Sequence, residues 1–370
     1  MGLLVVGILT ALVLSNLVPD PAGRGIWRGG AKTPDAPWYQ QLHGRIQRLG
    51  FYIGDNFGFR ASLPLVRLKL REVFASPDLR PVYVGRDGQL FSTLQLAPEQ
   101  SLGLLRRTAA VDRFVALMAA MDRHLAPLGS KLVVALPPNA QSVDLAFLPK
   151  WQDRFAPERT EYSMMLDALK ADGIAAVDLR AVLRQAPHQR HYLANDTHWN
   201  NLSAVLAFNA VMRTAGHADW QVNVDQVVGP LIPTGIGDLG RVLRRPTPLP
   251  DENQQLNLKP DLPRIPLPGA TNRHEFKGFD PFVMRYGRSG PRVLILGDSF
   301  TINSWPRLFA FTPVSEVAWM HFSSFTLGAC DFSFRDLMRF EPDLVIVART
   351  ERMFVCLRNA WPDGLPPPAN

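Results

Sequence analysis

The chain has 370 residues, of which 46% are hydrophobic and 20% charged, and its formal net charge is +7. This apolar fraction excludes an intrinsically disordered chain, and two cysteines are too few for a disulfide scaffold or a thiolate zinc array. The sequence shows no sustained heptads or short repeats, which excludes a coiled coil and a solenoid. The modest positive charge permits an anionic partner without requiring one.

The first segment, residues 2–18, has no charged residue and is apolar on every helical face. A helix of about 17 residues is about 25 Å long, slightly less than the roughly 30 Å hydrocarbon core of a bilayer. We expect residues 1–18 to be a signal anchor or signal peptide, and favour an anchor because no small-residue cleavage site follows. Residues 19–38, rich in Gly and Pro, are then a linker. Their basic residues oppose export under the positive-inside rule.

The body, residues 39–370, alternates between helical and strand-like patterns. Two strand-like runs around the Asp87-Gly88 turn predict a hairpin over residues 81–91. Apolar residues at helical spacing predict helices over 39–74 (broken at 54–58), 108–125, 162–170 and 202–214. Short apolar runs predict buried strands over 132–136, 174–177, 293–296 and 344–347. This alternation predicts an α/β fold with a mostly parallel sheet.

The stretch near residues 245–270 differs from the rest of the body because prolines recur through it at short intervals. Proline fixes φ and has no N–H to donate, so neither a helix nor a central strand is expected there. We predict an extended surface insertion within one domain that covers residues 39–370.

One short motif, Gly297-Asp298-Ser299-Phe300, directly follows the predicted strand 293–296. In a parallel sheet, ligands bind at the carboxyl ends of the strands. A serine on a turn at that edge can act as a nucleophile, with neighbouring backbone N–H groups forming an oxyanion hole. The alternative is a serine that only caps a helix.

A second motif, Asp196-Thr197-His198-Trp199, contains the other two members of a Ser-His-Asp relay. His198 would take the proton from Ser299 and return it to the leaving group. Asp196 would accept a hydrogen bond from the far ring nitrogen and stabilise the imidazolium. The alternative is a local Asp–His hydrogen bond with no catalytic use.

Metal and cofactor chemistry is not expected from the sequence. His188 and His191 lie close before Asp196 and His198, but no His-Glu-x-x-His pattern is present and the segment is predicted to be loop and strand. Phosphate-loop, dinucleotide and kinase signatures are absent as well. Because the basic residues are dispersed, no nucleic-acid partner is expected.

The two motifs resemble those of the alginate O-acetyltransferase family of AlgX and AlgJ, which carry an SGNH-hydrolase-like domain. The acid and base precede the nucleophile in the chain, as they do in that family. Ordinary SGNH esterases have the reverse order, with the serine first. Weaker matches lie at residues 55–60, 85–91, 137–139 and 237–239.

This resemblance implies a three-layer α/β domain and a periplasmic enzyme, anchored in the bacterial inner membrane, that acetylates an exopolysaccharide such as alginate. It implies that Ser299 becomes acetylated, that His198 is the general acid/base and that Asp196 orients it. The Ser299 backbone N–H, with Asp298 and Asn139, would form or support the oxyanion hole. A membrane-bound O-acyltransferase would supply the acetyl group.

Other residues support weaker expectations. Trp199 and Trp305 flank the motifs and could stack on sugar rings, with packing in the core as the alternative. Arg352 follows the last predicted strand and could bind an acidic sugar bidentately or form an internal ion pair. Cys330 and Cys356 could form a disulfide in an oxidising compartment or remain free thiols.

Two rival hypotheses stand beside the O-acetyltransferase. An esterase or deacetylase would use the same relay with water as the acceptor, because the acceptor is selected by how the site excludes water and orients a hydroxyl. A non-catalytic polysaccharide-binding assembly factor would carry a vestigial relay. The presence of all three relay residues disfavours this last hypothesis.

Overall fold

The structure is a computed structural model that describes residues 6–7, 10, 81–152, 159–186, 190–243, 251–258, 262–270, 278–323, 330–356 and 361–367. The chain divides into two units, Met1–Arg80 and Pro81–Asn370. In the first unit only Val6, Gly7 and Thr10 are described, and all three are helical. The rest of the predicted anchor, the linker at 19–38 and the predicted helix at 39–74 lie outside the described residues. None of the helices in the described part of the chain combines the length and hydrophobicity needed to cross a bilayer.

A six-stranded sheet lies at the centre of the second unit. Its strands, in spatial order, are β3 (Lys131–Val134), β10 (Leu344–Ala348), β8 (Arg292–Gly297), β9 (Glu316–His321), β7 (Phe282–Arg285) and β6 (Ile265–Pro266). The first four strands are parallel, and β7 and β6 run antiparallel to their neighbours. The neighbouring interior strands β8 and β10 are almost wholly buried, as their continuous apolar runs predict.

Helices cover both faces of this sheet and make three layers. One face packs against α2 (Thr108–Leu125), α4 (Glu161–Ala171) and α10 (Phe334–Phe340). The other face packs against α5 (Leu179–Gln185), α6 (Asn201–Thr214) and α9 (Trp305–Leu308). Alternate residues of each strand enter opposite cores, as in β10, where Val345 and Val347 face the first layer and Ile346 the second.

The remaining described elements lie around the sheet. Strands β1 (Val82–Val84) and β2 (Leu90–Ser92) form an antiparallel hairpin, and β4 (Val228–Thr234) pairs with β5 (Asp251–Leu256) in a separate antiparallel ribbon. The short helices are α1 (Ala97–Ser101), α3 (Ala140–Val143), α7 (Val224–Val227) and α8 (Asp238–Leu243).

The predicted α/β fold is confirmed, and its sheet is mixed, with four of the six strands parallel to one another. The hairpin at 81–91 and the helices at 108–125, 162–170 and 202–214 are present within a residue or two of their predicted bounds. Strand pairing at 174–177 is limited to a single bridge between Ala176 and Val134. Strands β7 and β9 were not predicted. Within the proline-rich stretch near 245–270, β5 and the edge strand β6 are described, and residues 245–250 and 259–261 lie outside the description.

Cys330 and Cys356 are joined by a disulfide. It links the segment before α10 to the segment after β10, and both sulfur-bearing residues are buried in the first core layer. Of the two alternatives open from the sequence, pairing is therefore the one observed.

We predict that the double variant Cys330→Ser/Cys356→Ser loses stability because the bridge closes a sequence separation of 26 residues in the unfolded chain. A loop of this size corresponds to about 3 kcal/mol of unfolding free energy. Urea unfolding of the oxidised wild type and the double variant measures the difference. Equal midpoints for the two proteins would contradict the prediction.

Candidate functional site

Ser299 lies on a tight turn where β8 ends. Gly297 closes the strand, and a Cβ there would overlap the Thr301 side chain, so the turn needs a glycine. The buried Asp298 carboxylate accepts from the Phe300 N–H at 3.0 Å and, through its other oxygen, from the Thr350 N–H at 2.8 Å and the Thr350 hydroxyl. These bonds fix the serine at the carboxyl end of the central strand.

His198 approaches Ser299 from the loop that precedes α6. Asn200 caps that helix by accepting from the Ser203 N–H at 2.8 Å. His198 Nε2 lies 2.9 Å from Ser299 Oγ, and His198 Nδ1 lies 2.6 Å from Asp196 Oδ1. Since an ionised carboxylate only accepts hydrogen bonds, Nδ1 carries the proton and Nε2 is free to accept from the serine hydroxyl. The structure thus brings the three predicted relay residues into one hydrogen-bonded chain.

The charge of Asp196 is stabilised locally. Burial raises the pKa of this carboxyl, but the hydrogen bond and charge of His198 and the backbone N–H groups of Asp238 and His198 outweigh burial and lower it to about 2. Asp196 is therefore ionised near neutral pH. The His198 and Asp196 side chains are 33% and 17% exposed, so the relay is open to a ligand at its histidine end.

Two other carboxylates hold the loop that carries the histidine. Asp251, at the start of β5 in the proline-rich insertion, accepts from the Ala194 and Asn195 N–H groups at 2.9 and 2.8 Å. Asp238, at the start of α8, accepts from the Thr197 N–H at 2.7 Å and from the Thr197 hydroxyl. No sequence pattern indicated the role of Asp251, and residues 237–239 were noted only as a family match.

An oxyanion donor is available at the nucleophile. Within the described part of the chain the Ser299 backbone N–H has no acceptor, whereas the adjacent Phe300 N–H is bonded to Asp298. The buried Asn139 amide instead donates to the Ser101 hydroxyl at 3.1 Å, and the Asn139 backbone N–H donates to Glu351 at 2.6 Å. Asn139 and Asp298 therefore support the loops around the site, and the Ser299 N–H is the available donor.

The supporting loops meet at the buried Glu351 carboxylate, which also accepts from the Ser142 hydroxyl at 3.0 Å. Burial raises the pKa of Glu351. The charge of nearby Arg180 and the hydrogen bonds that Glu351 accepts from Asn139 and Ser142 oppose this effect. Glu351 thereby joins the loop after β3 to the loop after β10.

Of the two environments considered for Trp199 and Trp305, stacking on sugar and packing in the core, the structure shows packing in the core. Both indoles are buried, at 5% and 0% exposure, and they stack on each other with centroids 6.0 Å apart. The Trp199 indole N–H donates to the Phe300 carbonyl and that of Trp305 to the Ala204 carbonyl. Their faces are covered by protein, so both belong to the core that supports the site.

Arg352 lies beside the relay. Its guanidinium stacks over the Phe300 ring at 5.3 Å, and the same ring lies 4.8 Å from the His198 imidazole. Arg352 is partly exposed, and within the described residues its guanidinium forms no ion pair. The internal ion pair considered as an alternative is therefore not found in this part of the chain.

One group of side chains has the spacing of metal ligands. Asp196, His198 and Asp238 present atoms within 4.8 Å of one another. In this structure Asp196 and His198 are hydrogen-bonded to each other, and Asp238 accepts a hydrogen bond from the Thr197 hydroxyl. His191, considered with them from the sequence, is instead buried beside the Ser203 hydroxyl at 3.1 Å, and His188 lies outside the described residues.

We predict a pH-dependent stability difference between the wild type and Asp196→Asn. The folded pKa of Asp196 is lowered from 3.8 to about 2, so the carboxylate stabilises the fold above about pH 4. This contribution is lost as the pH falls toward about 2. The difference in unfolding free energy, measured in urea at pH 7 and about pH 3, should therefore shrink on acidification. A difference that is constant over this range would contradict the assignment.

Several solved structures are similar to this chain. PatB1 of Bacillus cereus has a TM-score of 0.52 at 12% identity, covering 74% of this chain and 97% of that chain. The O-acetyltransferase domain of Pseudomonas putida AlgJ has a TM-score of 0.46 at 19% identity, covering 75% and 93%. Pseudomonas aeruginosa AlgX has a TM-score of 0.46 at 15% identity, covering 76% and 65%. The likeness to PatB1 shows a shared fold. No curated protein sequence matches the chain.

A family comparison covers the first part of the second unit. Residues 82–229 match the model of the SGNH hydrolase-like domain of the acetyltransferase AlgX. This range includes the Asp196-Thr197-His198-Trp199 motif and ends before the nucleophile turn. The resemblance predicted from the motifs is therefore confirmed: over residues 82–229 the chain is similar to the AlgX family of SGNH hydrolase-like acetyltransferase domains.

Proposed function

We propose that this protein is an O-acetyltransferase that moves acetyl groups onto hydroxyls of a polysaccharide through an acetyl-Ser299 intermediate. The observation that carries the proposal is the continuous chain of contacts from Asp196 through His198 to Ser299 Oγ, at 2.6 and 2.9 Å. The names of the matched proteins support it, because they describe an acetyltransferase and an O-acetyltransferase domain.

In the first half-reaction Ser299 Oγ attacks the acetyl carbonyl of the donor while His198 Nε2 takes the serine proton. The Ser299 N–H stabilises the negative charge that develops on the carbonyl oxygen. The C–O bond to the donor then breaks, and the leaving alcohol receives the proton from His198. Acetyl-Ser299 remains, and Asp196 has stabilised the imidazolium throughout this step.

In the second half-reaction a polysaccharide hydroxyl occupies the place of the departed alcohol. His198 takes its proton, the hydroxyl oxygen attacks the acetyl carbon, and Ser299 Oγ leaves and regains a proton from His198. The sugar ester and free enzyme result. Water could replace the sugar hydroxyl, which would make the protein an esterase or deacetylase. A binding protein with a vestigial relay is the remaining alternative.

Arg352 is our candidate contact for an acidic sugar of the acceptor. The residue as a whole is partly exposed, and its guanidinium lies over Phe300, whose ring also contacts His198. A guanidinium in this position can bind a carboxylate with two parallel hydrogen bonds. This feature favours an anionic polymer of the alginate type as acceptor, with its reactive hydroxyl near His198.

The cellular setting is also part of the proposal. We propose a periplasmic enzyme, held in the inner membrane by residues 1–18, that receives acetyl groups from a membrane-bound O-acyltransferase. The uncharged first segment supports the anchor, and the disulfide between Cys330 and Cys356 is compatible with an oxidising compartment.

The direct test is intact-mass analysis of the full chain in detergent after incubation with 4-nitrophenyl acetate. We predict one added acetyl group on wild type, mapped to Ser299, and none at this position in Ser299→Ala. Ser304→Ala is the matched control, because Ser304 lies in the same loop and, within the described residues, forms no hydrogen bond with His198, and it should be acetylated like wild type.

Addition of polysaccharide separates the alternatives. Loss of the adduct with formation of sugar ester supports transfer, whereas release of acetate at an unchanged rate supports an esterase. If wild type formed no adduct under conditions in which Ser299→Ala still bound polysaccharide normally, the binding-protein hypothesis would replace the enzyme.

For Arg352 we predict an effect limited to the acidic acceptor. Arg352→Gln should raise KM for a polyuronate about 10- to 100-fold, the usual value of a charge-assisted hydrogen bond. Arg352→Lys keeps the charge, and its KM for the polyuronate should lie between those of wild type and Arg352→Gln. Hydrolysis of 4-nitrophenyl acetate, a neutral substrate, serves as the internal control. An equal loss on both substrates would indicate that Arg352 acts on the relay instead of the acceptor.

A further inference from the structure

A tight corner at residues 237–240 packs directly against the loop of the proposed relay. The Asp238 backbone N–H donates to Asp196 Oδ2 at 3.0 Å, and the Asp238 carboxylate accepts from the Thr197 N–H at 2.7 Å and from its hydroxyl. On either side, the Gly237 N–H donates to the Asn195 side chain and the Gly240 N–H donates to the Asn195 carbonyl. The corner therefore contacts every residue from 195 to 197.

These contacts control how Asp196 faces the histidine. Asp196 has two carboxylate oxygens, and the one that does not contact His198 is the one held by the Asp238 N–H. Rotation of the carboxylate about its Cβ–Cγ bond would break that bond. The Asp238 carboxylate meanwhile fixes the Thr197 peptide, which is the backbone between Asp196 and His198.

The close approach of the corner leaves no room for a side chain at Gly237. A Cβ at this position would overlap the Asn195 carbonyl and side-chain oxygens and the Asp196 Cβ. Gly237 is buried, whereas Asp238 is only partly buried. The glycine thus allows the neighbouring aspartate to reach the relay loop.

We infer that Asp238 is a positioning residue of the relay, which holds the Asp196 carboxylate and the Thr197 peptide in the arrangement that lets His198 activate Ser299. This inference rests on the proposed function, since it assigns Asp238 a part in the acetylation of Ser299. Asp238 acts through Asp196 and Thr197 and needs no contact with the substrate.

The test compares three variants of the full chain with wild type. It measures kcat and KM for Ser299 acetylation by 4-nitrophenyl acetate, with melting temperature measured in parallel. Asp238→Ala removes the acceptors of both Thr197 bonds. Asp238→Asn keeps an oxygen for the Thr197 N–H and an amide that can donate to the hydroxyl. Asp178→Ala is the matched control, because Asp178 caps α5 by accepting from the Arg180 and Ala181 N–H groups at 3.0 and 3.3 Å and, within the described residues, forms no hydrogen bond to residues 195–198 or to Ser299.

We expect Asp238→Ala to lower kcat roughly 10- to 100-fold, as small misplacements of a catalytic group do, while KM stays within about 3-fold of wild type. Asp238→Asn should recover most of kcat. Asp178→Ala should lose stability with kcat per folded molecule unchanged. The inference is overturned if Asp238→Ala keeps wild-type kcat, or if its loss matches the fraction of unfolded protein and Asp238→Asn gives no rescue.

Failure of the proposed function has a different signature. A wild type no more reactive toward the ester than Ser299→Ala would refute the relay and, with it, the role of Asp238. A reactive wild type with an equally reactive Asp238→Ala would overturn only the present inference. Gly237→Ala gives an independent check, because its Cβ should displace Asp196 and lower kcat even though Asp238 is intact.

Discussion

The Asp298 carboxylate joins the neighbouring strands β8 and β10 at their carboxyl ends, where the site lies. Strands β8 and β10 are paired up to Gly297 and Ala348. Beyond these residues the backbone hydrogen bonds between the two strands end, and both segments continue as loops. A buried carboxylate that accepts from Phe300 on one loop and from Thr350 on the other replaces the missing ladder bonds. Because Ser299 lies between Asp298 and Phe300, its position depends on this link. A buried acceptor with all its donors in place is stabilising, whereas loss of one partner would leave polar groups unpaired.

The histidine side of the site is held by carboxylates from elsewhere in the chain. The loop containing His198 is not part of a strand or helix, and its N–H groups need acceptors when they are buried. Asp251 satisfies those of Ala194 and Asn195, and Asp238 satisfies that of Thr197. The proline-rich insertion therefore contributes more than surface, because its strand β5 carries Asp251. The relay is thus assembled from the sheet edge, the loop before α6 and two outlying carboxylates.

Sequence patterns predicted the elements whose signal is repeated over many residues. The helix Thr108–Leu125 was found at its predicted bounds because its apolar residues recur on one face through several turns. Strands β7 and β9 were missed because Phe282–Arg285 is too short for a clear pattern and Glu316–His321 mixes Trp and His with small residues. The sequence left the environment of Trp199 and Trp305 open between sugar and core, since proximity to a motif in sequence does not show which way an indole points. Their burial depends on packing against α6 and Phe300.

The sequence by itself determined the α/β class. It also identified Asp196, His198 and Ser299 as candidate site residues, because a strand followed by Gly-Asp-Ser and an Asp-x-His pair are local patterns. It could not determine that the two motifs meet, because residues 196–198 and 299 are separated by about a hundred positions and are brought together by the packing of α6 on the sheet. Tertiary structure alone decided the pairing of Cys330 with Cys356 and the placement of Asp238 and Asp251 on the relay loop. Each of these contacts joins segments with no mutual sequence signal, and their geometry is set only when the helices and strands between them pack.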